Sequence, residues 1–388
     1  MFNFLGKKIN AVFSWIIISS CCLFSVAFCF AQYEVVSAEI DGLAASDLLN
    51  QIIIPETVPE VPRVKADPIK VKGLYLTAYS AGSSKKLAQI IDLIEKTELN
   101  AIVIDVKDYS GYILYDSKLP LVEKLGLRDR RIKDVNAVLE KLHQHNIYAI
   151  ARVSVFQDPL LAEKKPEWAI RSKKGGLWRD RNKLAWVDPS NSEVWKHVIS
   201  VAKEAAVLGF DEINFDYIRF PTDGNLSDIV YSNGVQTRYE VIGDFFSYVE
   251  EQMKDESVYI SADLFGLTTE KKGSDDLRIG QRLADAVDHF DYVMPMVYPS
   301  HYPTGYRGYK NPANYPYEVV YNAMKAGVKQ TEGKKAKLRA WIQAFNLGAV
   351  YDGKKIRAQI QASDDAGVDG WVLWNAANRY GDAGLEKE

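Results

Sequence analysis

The sequence predicts a single (β/α)8 barrel, and three observations support this fold class. Eight segments of strand type occur between residues 71 and 374, and helical segments separate them. Strands that alternate with helices of this length indicate a parallel sheet with crossover connections. Eight such units in roughly 300 residues match the size of a closed barrel. Polar and aromatic side chains also gather where the predicted strands end, which is where such barrels place their chemistry.

The strands are predicted from apolar runs and from apolar–polar alternation. They cover residues 71–77, 101–106, 148–156, 212–217, 258–264, 292–296, 338–344 and 370–374. The fourth strand shows the clearest alternation, because the apolar Ile213 and Phe215 stand between the polar Glu212, Asn214 and Asp216. A proline at position 221 follows it and marks its end.

The helices are predicted from apolar residues at helical spacing. They cover residues 85–97, 133–145, 192–208, 237–254, 279–288, 317–330 and 355–366. The helix at 192–208 has a serine or an asparagine available as its N-cap. The chain stops soon after the eighth strand, so we expect the eighth helix to be short, absent or replaced by an N-terminal element.

The first 31 residues differ in composition from the rest of the chain. Lys7 and Lys8 precede a run at 11–31 that contains no charged residue. A basic start, an apolar centre and a small residue at the end are typical of a secretory signal, here cleaved after Ala31. Because the apolar run is about twenty residues long, an uncleaved membrane anchor through residues 11–31 is the alternative. In both cases we expect an exported protein that is extracellular, periplasmic or associated with the cell envelope.

Residues 32–70 are predicted to form an extended linker, since prolines at 55, 59, 62 and 68 disfavour helix and central strand. Residues 71–388 then form the barrel domain. All the cysteines (Cys21, Cys22 and Cys29) lie in the N-terminal segment. A chain cleaved after Ala31 would therefore have no disulfide, no thiolate metal site and no cysteine nucleophile. The net charge of −3 gives no basic surplus for binding nucleic acid.

Polar and aromatic residues at the predicted strand ends form the candidate site. The candidates are Asp105, Asp108, Arg152, Asp216, Tyr217, Arg219, Asp263, Tyr298, His301, Trp341, Gln343, Trp374 and Asn375. Pairs of carboxyl groups perform glycoside hydrolysis, and aromatic rings stack on the apolar faces of sugars. Of the five histidines only His301 lies near a strand end, so we expect neither a histidine-rich metal site nor a cofactor.

Each of the strongest candidates has an expected role and a structural alternative. We expect Asp216 to be the nucleophile or charge stabiliser, and Arg219 to pair with it and keep it ionised. Asp263, between the apolar Ala262 and Leu264, is expected to stay protonated and act as acid and base. The alternatives are a structural Asp216–Arg219 ion pair and a turn-capping Asp263. The other candidates are expected to bind a carbohydrate substrate.

A long loop at residues 159–188 follows the third predicted strand and contains Trp168, Trp178 and Trp186. Long loops inside compact domains are usually functional or disordered, and three tryptophans argue against disorder. We expect this loop to form a wall of the substrate cleft.

Several segments resemble a bacterial family of glycoside hydrolases that is defined as a domain of unknown function. They are KGLYLTAYSAG, NAIVIDVKDYSG, YAIARVSVFQDP, WVDPSN, FDEINFDYIRFP, ISADLFG, VMPMVYPSHY and GWVLWNAAN. The resemblance covers residues 71–380 and implies a (β/α)8 barrel acting on carbohydrate, distantly related to the α-amylase clan. In that clan the strand-four aspartate is the nucleophile, which Asp216 matches. Asp263 stands where the clan has a glutamate as general acid, and the clan's strand-seven aspartate has no counterpart.

Three functions stay open at this point. The first is an exported glycoside hydrolase that cleaves a polysaccharide. The second is a non-catalytic glycan-binding barrel, which the missing strand-seven carboxylate and the substituted strand-five residue favour. The third is a lyase or a metal-dependent hydrolase that uses Asp105, Asp108 and Asp263.

Overall fold

The computed structural model describes residue 65, residues 67–232, residue 234 and residues 236–387. The predicted signal or anchor at 1–31 and the predicted linker as far as residue 64 lie outside the described residues. The described fold belongs to the compact unit Arg63–Glu388. No helix within the described residues is both long and apolar enough to cross a membrane.

Parallel strands form a closed barrel, which confirms the predicted fold class. The barrel strands are β1 (Val71–Leu76), β2 (Ala101–Lys107), β3 (Tyr148–Ser154), β4 (Glu212–Asp216), β5 (Tyr259–Phe265), β6 (Tyr292–Met296), β7 (Ala340–Gln343) and β8 (Gly370–Trp374). They pair in chain order, and β8 pairs with β1 to close the cylinder. A two-residue strand, Lys337–Leu338, precedes β7 and also pairs with β6.

Helices connect the strands around the outside of the barrel. They are α1 (Ser84–Ile94), α2 (Val135–Gln144), α3 (Ser192–Leu208), α4 (Arg238–Met253), α5 (Leu283–Ala286), α6 (Pro316–Thr331) and α7 (Gly353–Ala366). Short helices at Ala78–Ala81, Pro120–Leu125 and Pro159–Lys164 lie in the loops. The N-cap of α3 is Asn191, whose side-chain oxygen accepts a hydrogen bond from the backbone N–H of Glu193 at 2.9 Å.

The α5 helix is much shorter than the predicted 279–288. Gly280, inside that range, has φ of 83°, a left-handed backbone that a right-handed helix cannot contain, and Leu277 and Arg278 just before the range have φ of 54° and 61°. Gly280 also approaches α4 closely, since a Cβ there would lie 2.7 Å from the carbonyl oxygen of Arg238. The apolar spacing correctly predicts a helix that includes Leu283. The backbone before Leu283 instead allows Gly280 to approach α4 closely.

Residues 375–387 form no helix after β8, in line with the expectation that the eighth helix is short or absent. The segment returns to the end of α1, where the backbone N–H of Glu386 donates to Glu98 Oε1 at 2.9 Å. Arg357 on α7 forms ion pairs with the carboxylates of Glu98 and Glu386 and so holds the segment against the barrel.

Alternating side chains on the strands face two different environments. On β4, Ile213 and Phe215 point outward and pack into the large apolar core between strands and helices. Glu212, Asn214 and Asp216 point into the barrel interior, where they contact residues of other strands. Period-two alternation therefore places a polar row inside the cylinder and leaves the helices an apolar surface to cover.

A buried ion pair fills the amino-terminal end of the barrel. Arg339, between Lys337–Leu338 and β7, donates to both carboxylate oxygens of Glu212 at 2.9 and 3.0 Å. Its guanidinium also lies 4.0 Å from the ring centre of Tyr292. Losing one partner of such a pair destabilises a protein by about 3–5 kcal/mol, because the other charge stays buried. This end is therefore packed, and the chemistry belongs to the opposite end.

Candidate active site

A cavity of about 350 Å³ lies at the carboxyl ends of the barrel strands. Its lining combines charged, aromatic and small residues: Arg152, Asp216, Tyr217, Arg219, Asp263, Phe265, Gly266, Leu267, Met296, Tyr298, His301, Tyr302, Trp341 and Trp374. Asp216, Met296 and Trp374 are the last residues of β4, β6 and β8. The cavity therefore occupies the position where parallel barrels bind their substrates.

Arg152 on β3 is the central cation of the site. Its Nη1 donates to Asp105 Oδ1 at 2.6 Å, and its Nη2 donates to Asp216 Oδ2. Its Nε lies 3.7 Å from Asp263 Oδ2. Burial alone would lower the pKa of Arg152, but the charges of Asp216 and Asp105 outweigh that effect and raise it, so the guanidinium stays charged.

Both oxygens of the Asp216 carboxyl group accept hydrogen bonds from the protein. Oδ2 contacts Arg152, and Oδ1 accepts a hydrogen bond from the backbone N–H of Tyr217. Tyr217 has φ of 54°, a left-handed backbone that turns the chain sharply at the end of β4. These contacts fix the Asp216 carboxyl group at the cavity, a position that suits a nucleophile or a charge stabiliser.

Asp263 on β5 has a different environment. Its Oδ1 accepts hydrogen bonds from Asn214 Nδ2 at 2.8 Å and from Trp341 Nε1 at 2.7 Å. Burial, and next the negative charge of Asp216, raise the pKa of Asp263 well above its ordinary value. Two N–H donors occupy Oδ1, so the proton of the neutral acid belongs on Oδ2.

The reason for this protonation differs from the one expected from the sequence. Ala262 and Leu264 flank Asp263 in the chain, but both point outward into the core under the helices. Successive side chains of a strand face opposite sides of the sheet, so these two do not surround the carboxyl group. The barrel interior provides the desolvation, and only 1% of the Asp263 side chain is exposed.

Charge balance supports the same assignment. One arginine faces three carboxyl groups (Asp105, Asp216 and Asp263), so full ionisation would leave +1 − 3 = −2 inside the barrel. Burying uncompensated charge is unfavourable, and a buried group takes up a proton instead. Of the three carboxyl groups, that of Asp263 lies farthest from the guanidinium. Burial also raises the pKa of Asp105, whose Oδ2 accepts a hydrogen bond from the Tyr75 hydroxyl.

Arg219 lines the cavity but does not have the expected partner. Among the described residues no ion pair within 4 Å joins it to Asp216, and Arg152 takes that position. The Arg219 guanidinium lies instead 4.8 Å from the ring centre of Trp186. Arg219 follows Asp216 by three positions, and the left-handed turn at Tyr217 lies between them. The expected Asp216–Arg219 pair is therefore wrong.

Aromatic side chains form the rest of the lining. Trp374 stacks on Tyr75 with ring centres 4.0 Å apart, and Trp341 meets Trp374 edge-on at 5.6 Å. Tyr298 and His301 lie 5.4 Å apart in an edge-to-face contact. Burial lowers the pKa of His301, which keeps its imidazole neutral at pH 7. These faces and edges suit a ring-shaped ligand with apolar faces.

Four predicted site residues do not line the cavity, and one of them, Asp105, contacts Arg152 from β2 instead. Asp108 closes a turn in the loop after β2, where its Oδ1 accepts from the backbone N–H of Ser110 at 2.9 Å. Gln343 accepts from the backbone N–H of Ser300 at 3.1 Å, so it positions the segment that carries His301. Asn375 donates to the carbonyl oxygen of Ala344 at 2.6 Å. The side chains of Asp108, Gln343 and Asn375 satisfy loop backbone, which sequence patterns do not distinguish from substrate binding.

The tryptophan-rich loop has its own small core. Trp178 and Trp186 are buried with Ile170 and Ile229, and a ribbon of Arg171–Ser172 with Ile229–Val230 holds the loop in place. No residue from 159 to 188 lines the cavity, so the expected direct wall is wrong. The loop reaches the site through Trp186, which packs under the guanidinium of Arg219.

Sequence reasoning missed two buried residues: Asn214 donates to the carboxyl group of Asp263, and Gln281 holds the backbone after β4 and at the end of β5. Asn214 lies two residues before Asp216, so the alternation itself places both on the inner face of β4. Gln281 accepts from the backbone N–H of Phe265 at 2.9 Å and donates to the carbonyl oxygen of Ile218 at 3.1 Å. It lies in the segment predicted as helix, and no local signal marks it.

The positions of the carboxylates bear on the third alternative, a lyase or a metal-dependent hydrolase that uses Asp105, Asp108 and Asp263. Within the described residues no group of three or more His, Cys, Asp or Glu side chains is arranged to hold a metal ion. Asp108 lies outside the cavity, and the guanidinium of Arg152 contacts both Asp105 and Asp263. The three carboxylates of that alternative therefore do not converge on one point.

The barrel is similar to those of solved glycoside hydrolases. The PgaB (BpsB) glycoside hydrolase domain from Bordetella bronchiseptica matches with a TM-score of 0.58 and 13% identity, over 79% of this chain and 94% of that chain. The α-galactosidase TtGalA from Thermus thermophilus matches with a TM-score of 0.51 and 11% identity, over 81% of this chain and 60% of that chain. At these identities the likeness shows the fold.

The chain is also similar in sequence to one further solved structure and to one family model. A hypothetical protein from Ruminiclostridium thermocellum is 42% identical, over 49% of this chain and 97% of that chain, with a TM-score of 0.47. No curated protein matches the chain. The model of the family described as "Putative glycosyl hydrolase domain" (DUF4015) matches residues 73–380. Because this match spans the barrel and every residue that lines the cavity, the chain belongs to that glycosyl hydrolase domain family.

Proposed function

We propose that this protein is a glycoside hydrolase with Asp216 as nucleophile or charge stabiliser and Asp263 as acid and base. The observation that carries the proposal is the unequal environment of the two carboxyl groups in one cavity. Asp216 has an arginine and a backbone N–H as donors, whereas burial and the neighbouring charge keep Asp263 protonated. Glycoside hydrolysis needs one ionised and one protonated carboxyl group.

The proton on Asp263 is the one that the leaving oxygen would receive. Cleavage of a glycosidic bond leaves an alkoxide unless an acid protonates the oxygen as the bond breaks. Asp216, paired with Arg152, would face the positive charge that develops at the anomeric carbon. Asn214 and Trp341 fix the Asp263 carboxyl group through Oδ1, so Oδ2 is free to donate.

We further propose that the substrate is a polysaccharide and that the protein acts outside the cytoplasm. The supporting observation for a sugar is the aromatic lining around Trp374, Tyr298 and Trp341, next to hydrogen-bonding carboxylates. Export and a membrane tether through residues 11–31 rest on the uncharged apolar N-terminal run. Fractionation of cells that express a tagged chain would test export and the membrane tether.

Incubation of the purified protein with a panel of bacterial polysaccharides, followed by mass spectrometry of released sugars, tests the activity. Asp216→Asn and Asp263→Asn should each lose product release on the substrate found. Asp108→Asn is the matched control, because it changes a carboxylate of the same face that lies outside the cavity. Full activity in both site variants would show that the assignment is wrong.

A second candidate function, a non-catalytic glycan-binding barrel, is favoured by one observation. Both oxygens of Asp216 already have donors from the protein itself. A carboxylate so engaged can be a structural partner of Arg152 rather than a nucleophile. Glycan binding without product release, unchanged in Asp216→Asn, would support this function over hydrolysis.

A further inference from the structure

Arg219 has unused hydrogen-bonding capacity in the cavity. Within the described residues its only hydrogen bond runs from Nη1 to the carbonyl oxygen of Phe220, at 3.1 Å. Nε and Nη2 therefore have no hydrogen-bond partner in that part of the chain, and no carboxylate there forms an ion pair with the group within 4 Å. The other cation of the lining, Arg152, is already paired with Asp105 and Asp216.

Three aromatic rings hold the Arg219 guanidinium in place. Their centres lie 4.8 Å away for Trp186, 5.4 Å for Phe265 and 5.5 Å for Tyr217. Trp186 is itself fixed, because its Nε1 donates to Asp180 Oδ2 at 3.1 Å. Aromatic faces attract a cation without supplying a counter-charge. The planar donor group is thus preorganised at the cavity.

The acidic residues whose charges act on Arg219 are not its ion-pair partners. Asp216 is engaged by Arg152, and Asp180 accepts from Trp186 and from the backbone N–H of Leu184. Asp223 contributes through its charge but forms no ion pair with Arg219 within 4 Å. Burial lowers the pKa of Arg219 despite these charges. A charge withdrawn from water without a paired counter-charge is unfavourable, so a ligand that supplies one would be bound strongly.

We infer that Arg219 binds a carboxylate carried by the sugar, so that the substrate is an acidic glycan such as a uronic-acid or lactyl-ether polymer. The planar fork of a guanidinium matches the two oxygens of a carboxylate. A carboxylate has one negative charge, which limits its repulsion from the nearby Asp216 compared with a doubly charged phosphate. The inference rests on the proposed function, because it takes the cavity to be the sugar site.

Binding measurements with paired oligosaccharides test the inference. The acidic probes are oligogalacturonides, hyaluronan oligosaccharides and muramic-acid-containing wall fragments, each compared with its carboxyl-reduced form. The Asp263→Asn protein serves as the parent so that turnover does not consume the probes. We expect at least one acidic probe to bind about tenfold to a hundredfold more tightly than its reduced form, in line with bonds to a charged group.

The Arg219→Gln variant should remove that preference, and Arg219→Lys should retain part of it because the charge remains without the fork. Arg238→Gln is the matched control: it removes one positive charge that also lies over aromatic rings, those of Phe220 and Tyr231, but outside the cavity. Thermal unfolding of each variant shows that the fold is intact. If Arg219→Gln does not fold, a weakened preference in a folded Arg219→Lys carries the test, and an unchanged preference there overturns the inference.

The inference is overturned if no acidic probe binds, if acidic and reduced forms bind equally, or if the preference survives in Arg219→Gln. Phosphorylated sugars form a further set of probes. If the protein prefers them to the carboxylate probes, the carboxylate assignment is overturned. The outcome is distinguishable from failure of the proposed hydrolase. Arg219-dependent binding of acidic glycans without cleavage would contradict only the hydrolase, whereas cleavage of neutral glycans unaffected by Arg219→Gln would contradict only this inference.

Discussion

Arg152, two residues before the end of β3, donates from Nη2 to Asp216 at the end of β4. Neighbouring parallel strands bring the two together although 64 positions separate them in the chain. The same guanidinium contacts Asp105 on β2 and approaches Asp263 on β5. One arginine therefore connects carboxyl groups from three strands.

Removing the acid should affect substrates according to their leaving group. Asp263→Asn keeps the acceptor oxygen for Asn214 and Trp341 but cannot donate the proton of a carboxylic acid. We expect kcat/KM on the natural glycan to fall by about 10²- to 10⁴-fold. Dinitrophenyl glycosides, whose leaving groups need little protonation, should lose much less. Steady-state kinetics on both substrates measure the difference, and equal losses would contradict the acid role.

Trp341→Phe should shift the pH dependence of activity upward. The indole N–H donates to Asp263 Oδ1 at 2.7 Å and so favours the ionised carboxylate. Without it the pKa of Asp263 should rise further, and the acid should stay protonated to higher pH. The basic limb of the kcat/KM profile should therefore move to higher pH.

Trp371→Phe is the matched control for that variant. Trp371 is also a buried barrel tryptophan, but its Nε1 has no hydrogen-bond partner among the described residues. Its replacement should leave the basic limb where it is. A shift of equal size in both variants would point to general loosening of the barrel rather than to the bond with Asp263.

Arg152→Met should lower the free energy of unfolding by about 3–5 kcal/mol, because two buried carboxylates lose their shared counter-charge. Denaturant unfolding measures the change. Adding Asp105→Asn to this variant should recover part of the loss, since one fewer negative charge stays buried. Arg307→Met removes a half-exposed ion pair with Glu270 and should cost less than about 1 kcal/mol. Equal losses in Arg152→Met and Arg307→Met would show that the cluster does not depend on the arginine.

Stability should also depend on pH through Asp263. Its pKa in the folded protein lies above the ordinary value of 3.8, so the folded state binds more protons than the unfolded state between those two values. Unfolding free energy should therefore decrease as pH rises from about 4 toward the raised pKa. Asp263→Asn should flatten this contribution. A slope that is identical in the variant would show that other groups produce it.

Strand and helix periodicity accounts for most of the fold. The alternation in β4 correctly separates Ile213 and Phe215 from the inward Asn214 and Asp216, because side chains of a strand face opposite sides in turn. Helix α5 was overpredicted, since its apolar spacing gives no sign of the left-handed backbone at Leu277 and Gly280. Local patterns do not report a close approach to another helix.

The sequence by itself determined the barrel, its strand order and the placement of Asp216 and Asp263 at the carboxyl ends, because these follow from periodicity along the chain. Only the tertiary structure decided which cation forms the ion pair with Asp216. Arg219 is three residues away but turns aside to the ring of Trp186, whereas Arg152 reaches it from the next strand. Charge pairing and burial depend on distances across strands, and a linear sequence does not contain them.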